Sequence, residues 1–347
     1  MRKANILFLL VSICVCLCAC SKDVTDKKIK IKIDNNSYEA IYSGCLENGK
    51  PSGSGKVTIS DYIITFDGKN LIGKYEGESE SGIPEGNGSF SSTTDDYTFE
   101  YNGEWKSGTI KGIGNLKYDK YIVHYNDLDR EGKYVGDTLD GAASGYGKFT
   151  AQNDYGETYT HEGAWENGLS EGYGRRVFEE SDIRYVGIFT EGEFDYTLVN
   201  ILYTMTDYDG DLSFDLSEEE VEFINDNSFM FPCKELSTLA MYVDEDLTYI
   251  MIEKNESAYN DSLMIIDPAY VISIDEYDVF EDNKLSMLLL EDNDDNVHYV
   301  IYPSEAKDIY SGDYVGCVGY PIGFSSYENM GGNRTKCTIL LGSYITK

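Results

Sequence analysis

Tyr101-Asn102-Gly103-Glu104-Trp105-Lys106-Ser107-Gly108-Thr109-Ile110-Lys111-Gly112-Ile113-Gly114 places an aromatic residue two positions before a glycine, then further glycines five, nine and eleven residues after that first one. The same register recurs as Tyr42, Gly44, Gly49, Gly53, Gly55 and as Tyr75, Gly77, Gly82, Gly86, Gly88. It recurs again as Tyr134, Gly136, Gly141, Gly145, Gly147 and as His161, Gly163, Gly168, Gly172, Gly174. A partial sixth copy keeps Tyr185, Gly187 and Gly192. A fixed ladder of this kind marks a repeat architecture, in which each unit needs its neighbours to bury its apolar face.

Glycine this dense costs a helix about 1 kcal/mol per position, so the units are β. Each begins with a short alternating strand such as Tyr101–Trp105 and turns at pairs such as Asn48-Gly49 and Asn167-Gly168. Asn-Gly suits a two-residue hairpin because both residues tolerate positive φ. The Gly-x-Gly pair then opens a second strand, as in Gly145-Tyr146-Gly147-Lys148-Phe149. Glycine inside a strand marks close approach of another group, and the reading assigns that group to an aromatic ring from an adjacent unit. The 30 tyrosines of the chain fit that demand. First glycines of successive units lie 33, 26, 33 and 27 residues apart. The longer spacings hold extra strand-like runs, Asp61–Phe66 and Lys120–Tyr125, which implies a two-unit super-repeat.

The pattern resembles the MORN repeat, closest in Tyr101–Gly108 and in the Glu162-Gly163-Ala164-Trp165 run to Gly168. The resemblance covers about residues 40–195 and carries Tyr42, Gly44, Tyr75, Gly77, Tyr101, Gly103, Trp105, Tyr134, Gly136, Gly163 and Trp165 as repeat-motif residues. It implies a mainly β chain with an elongated hairpin array, a single-layer antiparallel sheet. It implies contact functions and no single activity. His161 departs from it by standing in an aromatic slot, and the long linkers make the array less regular.

The N-terminus has a charged start at Arg2 and Lys3, then an apolar stretch Ile6–Val15 of signal-peptide length, short for a membrane span. Leu17-Cys18-Ala19-Cys20 resembles a bacterial lipobox. The resemblance implies removal of residues 1–19, lipidation of Cys20 with diacylglycerol and palmitate, and an extracytoplasmic lipoprotein on a cell membrane. An ordinary cysteine-rich secretory signal is the alternative. Residues 20–39 read as anchor and linker, with Lys22, Lys27, Lys28, Lys30 and Lys32 either solvated or lying against anionic headgroups.

Without residues 1–19 the chain keeps 26 basic residues against 62 acidic ones. That balance argues against nucleic acid as a partner and favours a basic partner, cations or simple solubility. Of the cysteines outside the leader, Cys45, Cys233, Cys317 and Cys337 show no metal-ligand spacing. Cys317 and Cys337 can pair if their strands form a hairpin; both also sit in apolar runs that suit buried thiols.

After Tyr196 the ladder stops, and residues 196–347 hold 7 basic and 30 acidic residues. Residues 196–266 read as a helical, acidic lead-in. Ser217-Glu218-Glu219-Glu220 is a capping box with Leu216 and Val221 as its staple, and Phe231-Pro232 limits the helix. Asp246–Ile252 and Ser262–Ile266 suit strand or short helix. Residues 267–347 read as five strands, Tyr270–Tyr277, Lys284–Glu291, Val297–Tyr302, Tyr314–Gly319 and Lys336–Ile345, with a short helix at Pro303–Ile309. That order resembles a small α+β, OB-like (tRNA-anticodon-like) barrel, although a β-sandwich gives similar runs. Ser325–Arg334 reads as a recognition loop or an ordinary connection.

Asp207, Asp209, Asp211, Ser213, Asp215 and Glu218 supply oxygen donors at EF-hand spacing, but Leu212 replaces the required glycine, so an acidic linker competes with a calcium loop. No cofactor motif is present. His124, His161 and His298 have no nucleophile or metal spacing near them. The expectation is therefore a non-catalytic, membrane-anchored scaffold that binds a protein or glycan. The alternatives are a self-associating cell-envelope spacer, pairing at open sheet edges near Ile41 or Phe194, and a carboxylate-dependent envelope hydrolase. A binder should expose apolar side chains on one sheet face, while a spacer should be polar on both.

Overall fold

Two-residue turns with both residues at positive φ set the hairpins of the first sheet: Asn48 and Gly49 sit at φ 52° and 80°, and Asn167 and Gly168 at 52° and 88°. Ser81-Gly82, Ser107-Gly108, Asp140-Gly141 and Glu191-Gly192 repeat that geometry. Their backbone twist matches the right-handed twist of the flanking strands. The computed structural model describes residues 22–125, 128–208, 212, 214–255, 259–279, 283–328 and 334–347.

The strands are β1 (Lys22–Ile33), β2 (Asn36–Glu47), β3 (Lys50–Phe66), β4 (Lys69–Glu80), β5 (Ile83–Thr93), β6 (Thr98–Lys106) and β7 (Thr109–Tyr125). They continue as β8 (Leu128–Leu139), β9 (Ala142–Gln152), β10 (Thr158–Glu166), β11 (Leu169–Phe178), β12 (Arg184–Thr190) and β13 (Glu193–Phe194). All 13 lie in one sheet in chain order. Lys22–Ile33, read in the sequence as linker, is thus the first strand and pairs with β2 from Lys22↔Leu46 to Ile33↔Asn36. Its alternation explains this: Ile31 and Ile33 are buried while Lys30 and Lys32 face solvent. Ile41 consequently sits in an interior strand, and β1 forms the edge.

The chain divides into two compact units. One runs through residue 153 and takes in 164–169; the other takes 154–163 and 170–347. In the first, the extra strand runs are the far ends of the 17-residue β3 and β7. Each long strand carries a pairing irregularity, between Ile59 and Tyr62 and between Tyr118 and Tyr121. A bulge bends its strand. Beyond the bend, Tyr62 and Phe66 reach rings of strands that are not their neighbours. Phe66 meets Phe99 at 5.0 Å in a T-shaped pair, and the Tyr62 hydroxyl donates to Gly108 O at 2.6 Å. Such ring pairs add about 0.5–1.5 kcal/mol each beyond the area they bury. Successive turns are also tied together: Ser81 N–H donates to Gly53 O at 2.8 Å, Gly108 N–H to Pro84 O at 2.9 Å and Gly168 N–H to Ala143 O at 2.9 Å.

In the second unit, helix α1 (Leu198–Tyr208) closes β12. Thr204 and Asn200, both 2% exposed, stand one turn apart. Thr204 Oγ1 accepts from Val186 N–H at 2.9 Å and donates to Val186 O, and Asn200 Oδ1 accepts from Ile188 N–H at 3.1 Å. Side chains thus take the backbone groups that an edge strand leaves bare. The expected open edge near Phe194 is thereby shortened: α1 takes the groups of β12 that the two-residue β13 does not pair.

Helix α2 (Glu218–Asp226) begins with the capping box read from the sequence: Ser217 accepts from Glu220 N–H while the Glu220 side chain takes Ser217 N–H. A helix α3 (Tyr249–Lys254) and a two-residue β14 (Val243–Asp244) precede β15 (Leu263–Val279). Then come β16 (Asn283–Glu291), β17 (Val297–Tyr302), β18 (Tyr314–Glu328) and β19 (Arg334–Thr346). Their sheet order is β14-β15-β16-β17-β19-β18, and β18 pairs back to β15, closing five strands on themselves. β17 and β19 are parallel. One core, with Val271, Leu288, Leu290, Val300 and Leu340, forms one cluster, and a second cluster packs Met287, Ile301, Tyr320 and Leu341 against Leu202, Ile224 and Met230 of the lead-in. Residues 303–309 form bends and turns, not the expected short helix. The Ala306 N–H is taken by Ser286 Oγ at 2.8 Å, which replaces a helical bond.

Of the two readings of Cys317 and Cys337, the buried thiols hold and the disulfide does not, since both thiols are free and buried. β18 and β19 do form a hairpin, but its register sets Cys317 opposite Ile345 and Cys337 opposite Ser325. Eight residues of offset is roughly 26 Å along a strand, far beyond the reach of a disulfide, about 7 Å between Cα atoms.

Candidate functional site

The repeat-motif residues face inward and build the fold. A Cβ on Gly44, Gly77 or Gly103 would stand 2.6 Å from the hydroxyl of Tyr42, Tyr75 or Tyr101, and one on Gly136 would stand 2.7 Å from that of Tyr134. Each ring lies over glycines of its own hairpin, not of an adjacent unit as the sequence reading had it. The reason is local: the Tyr and its glycine share a strand face two residues apart, and the phenol is just long enough to reach the carbonyl three residues on. Tyr75 donates to Glu78 O and Tyr134 to Asp137 O, each at 2.7 Å. Burial, with Glu104 nearby, pushes the Tyr101 phenol up to about 12, so it stays a donor at neutral pH. The adjacent unit contributes indoles: Trp105 Nε1–H donates to Gly88 O and Trp165 Nε1–H to Gly147 O, both at 3.1 Å. Gly163 has no room for a side chain either, with Tyr173 O 2.6 Å from a Cβ built there.

His161 is 1% exposed and meets the Phe189 ring edge-on at 4.6 Å. Burial first, then the Arg176 guanidinium, hold its imidazole down at about 3. It therefore serves as a neutral, flat ring in an aromatic slot.

The opposite face of the first unit's sheet is mostly charged or polar; Ile41 on β2 and Ile72 on β4 are exposed there, and four more apolar side chains gather on β7–β9. Ile113 on β7 and Leu139 on β8 are register partners, 68% and 48% exposed. Val135, on the same face of β8, is 39% exposed, and Tyr146 on β9 is 60% exposed. Tyr146 N–H donates to Asp137 Oδ2 at 3.3 Å, which sets that residue beside the β8 stripe. Three neighbouring strands thus present four apolar side chains to solvent. The sequence reading missed them, yet a signal existed. The middle residue of Gly-x-Gly is Ser54 and Asn87 in the first two units and Ile113 and Tyr146 in the next two.

His124 lies between Asp129 (Nδ1–Oδ1 2.8 Å) and Asp67 (Nε2–Oδ1 3.2 Å), and these bonds hold it above its ordinary value. His298, fully buried, touches Thr338 Oγ1 at 2.7 Å through Nδ1 and Asp292 Oδ2 at 3.1 Å through Nε2. This chain has the order of a catalytic relay, but His298 and Thr338 are both 0% exposed, so it reaches no substrate. Its effect is to tie β17 to β19 and to the turn before β17. Among the calcium candidates, Asp207 accepts from Arg175 Nε at 2.8 Å and pairs with Arg184 at 3.5 Å. Two guanidiniums already neutralise it, so the segment does not fit a cation loop. Asp215 precedes the Ser217 cap and Glu218 opens α2, while Asp209 and Asp211, like Cys20 and the leader, lie outside the described residues. Among the described residues no group of three or more His, Cys, Asp or Glu is arranged to hold a metal ion. Ser325 and Arg334, the ends of the segment read as a recognition loop or an ordinary connection, belong to the paired strands β18 and β19.

With this geometry in hand, the MORN repeat profile matches residues 42–62, 75–97 and 161–182. The chain carries MORN repeats. The hairpins beginning at Tyr101 and Tyr134, outside those three matches, have the same geometry of ring over glycine. No curated protein matches the chain. No helix among the described residues is long and apolar enough to cross a membrane.

Proposed function

We propose that this protein is a non-catalytic binding scaffold, held by a lipid on Cys20 at the extracytoplasmic face of a membrane, and that its MORN sheet docks a protein partner on the outer face of β7–β9. The observation that carries this reading is the gathering of Ile113, Val135, Leu139 and Tyr146 on three neighbouring strands of a mostly polar face, where Ile41 and Ile72 on β2 and β4 are the other exposed aliphatic residues. Exposed apolar side chains gathered on one face of a sheet mark contact surfaces. The charge balance favours a partner with a basic rim. The five-strand order with the first strand closed against the fourth, and the third and fifth parallel, supports an OB-like reading of residues 267–347. That barrel's second core is packed by the lead-in, which favours a supporting role over an open ligand face.

The test places a photo-crosslinking amino acid at position 146 or at position 87, the equivalent place in an earlier hairpin. The proposal expects a discrete crosslinked species from 146 and none from 87; equal labelling at both contradicts it. For the anchor, Cys20→Ala is expected to release the protein from the membrane fraction and to stop incorporation of labelled palmitate. Retention with undiminished labelling contradicts the anchor alone. The outermost place of β1 among the described strands favours a second reading, an envelope spacer that self-associates, for which β1-dependent dimers without an outer-face partner would be the sign.

A further inference from the structure

The two-unit duplication makes Tyr62 and Tyr121 equivalent: they lie 59 residues apart, as do Gly44 and Gly103, and Gly77 and Gly136. Their hydroxyls are used in opposite ways. Tyr62 donates to Gly108 O at 2.6 Å. Tyr121 instead accepts from Ala143 N–H at 2.8 Å. The cause is a single residue. The position equivalent to Ala143 is Pro84, which has no N–H to give. In the second copy the turn also stands further off: a Cβ on Gly168 would be 3.6 Å from the Tyr121 hydroxyl, against 2.7 Å between the Gly108 position and Tyr62. Tyr121 is 5% exposed, and among the described residues its hydroxyl donates to nothing. A buried donor left unused is costly.

Tyr121 lines a cleft of about 300 Å³, together with Phe66, Asp67, Ile110, His124 and Asp140. The volume is at the lower end for small-molecule sites, which run from about 300 to 1,000 Å³. Both carboxylates in its wall already have partners: Asp140 pairs with Lys111, and Asp67 bonds His124, which it shares with Asp129. Both retain lone pairs for hydroxyl donors, and Lys111 offsets the charge of Asp140. Phe66 and Ile110 provide an apolar side. We infer that the cleft is a binding site for a neutral, hydroxyl-rich ligand, a single sugar unit, whose oxygen accepts from Tyr121 and whose hydroxyls donate to Asp67 and Asp140. The first copy of the duplication has lost this site because Tyr62 and Gly108 satisfy each other. This inference does not depend on the outer-face reading.

The test titrates the full chain in detergent with N-acetylglucosamine, methyl glucoside, glucosamine and glucuronate, read by indole fluorescence; Trp165 is linked to Tyr121 through Tyr134, at 5.4 and 4.9 Å between rings. Saturable binding of a neutral sugar is expected, weakened about ten-fold by Tyr121→Phe and by Asp140→Asn, and unchanged in Tyr62→Phe. Asp140 is exposed, so its variant remains informative if Tyr121→Phe is poorly folded. Binding of glucosamine alone, binding that survives both cleft variants, or no saturable change with any of the four sugars would overturn the inference.

Discussion

The phenol of Tyr134 lies against the bare backbone of Gly147, so that a Cβ added to Gly147 would stand 2.6 Å from the ring carbon Cε2. The same ring is fully buried and donates to Asp137 O at 2.7 Å, which fixes its position and leaves it no way to yield. Gly147→Ala should therefore destabilise the first unit by about 1–3 kcal/mol through overpacking. The double variant Tyr134→Ala with Gly147→Ala should cost less than the sum of the two singles, because the clash requires the ring. Denaturant unfolding of the four proteins checks this; strict additivity would count against the contact.

Asn200→Ala combined with Thr204→Val strips the side chains that serve Val186 and Ile188. Each orphaned backbone group costs about 1–3 kcal/mol, and the uncovered β12 edge becomes available for pairing between chains. The expected result is a lower unfolding midpoint together with concentration-dependent oligomers in light scattering. A stable monomer would show that α1 holds its place by apolar packing alone.

His161 supplies a pH test. Its folded value, about 3, lies below its ordinary 6.5, so between those limits the unfolded chain binds the proton and the folded chain does not. Stability from this group is complete above pH 6.5 and is lost as pH falls toward 3. At pH 4.5 the loss from this one residue is about 2–3 kcal/mol. His161→Phe keeps a ring in the slot and removes the titration. Its stability should fall by that much less between pH 7.5 and 4.5, as measured by chemical unfolding at both values. Equal losses in the two proteins would mean that His161 is solvated.

Burial pushes the Cys317 thiol up to about 12 and the Cys337 thiol up to about 11. Neither should react with a thiol reagent at pH 8 in the native protein, and both should react after unfolding without reductant. Protection that persists in denaturant until a reductant is added would restore the disulfide that the register argues against.

Much of the repeat region was legible because glycine is diagnostic: the turns at Asn48-Gly49 and Asn167-Gly168 need positive φ, and the glycine ladder fixes the hairpin period. The strand β1 was hidden because five lysines mask the alternation of Ile29, Ile31 and Ile33. The direction of the tyrosine rings was misread because spacing along one chain does not reveal that a phenol folds back on its own strand. The five barrel strands were legible as apolar runs, but the register of β18 on β19 was not, and the choice between paired and buried thiols at Cys317 and Cys337 depended on it. The outer-face cluster escaped notice because exposure is a property of the assembled sheet; only the change from Ser54 and Asn87 to Ile113 and Tyr146 announces it.

The account turns on whether that cluster engages a partner, and one comparison measures this most directly. The lipid-free chain from Ser21 to Lys347 is immobilised beside the same chain carrying Ile113→Glu, Leu139→Glu and Tyr146→Glu, and both are exposed to solubilised envelope. The account predicts one protein retained by the first and lost from the second, with both chains unfolding at similar temperature. Retention that is indifferent to the three substitutions would contradict the outer face as the docking surface.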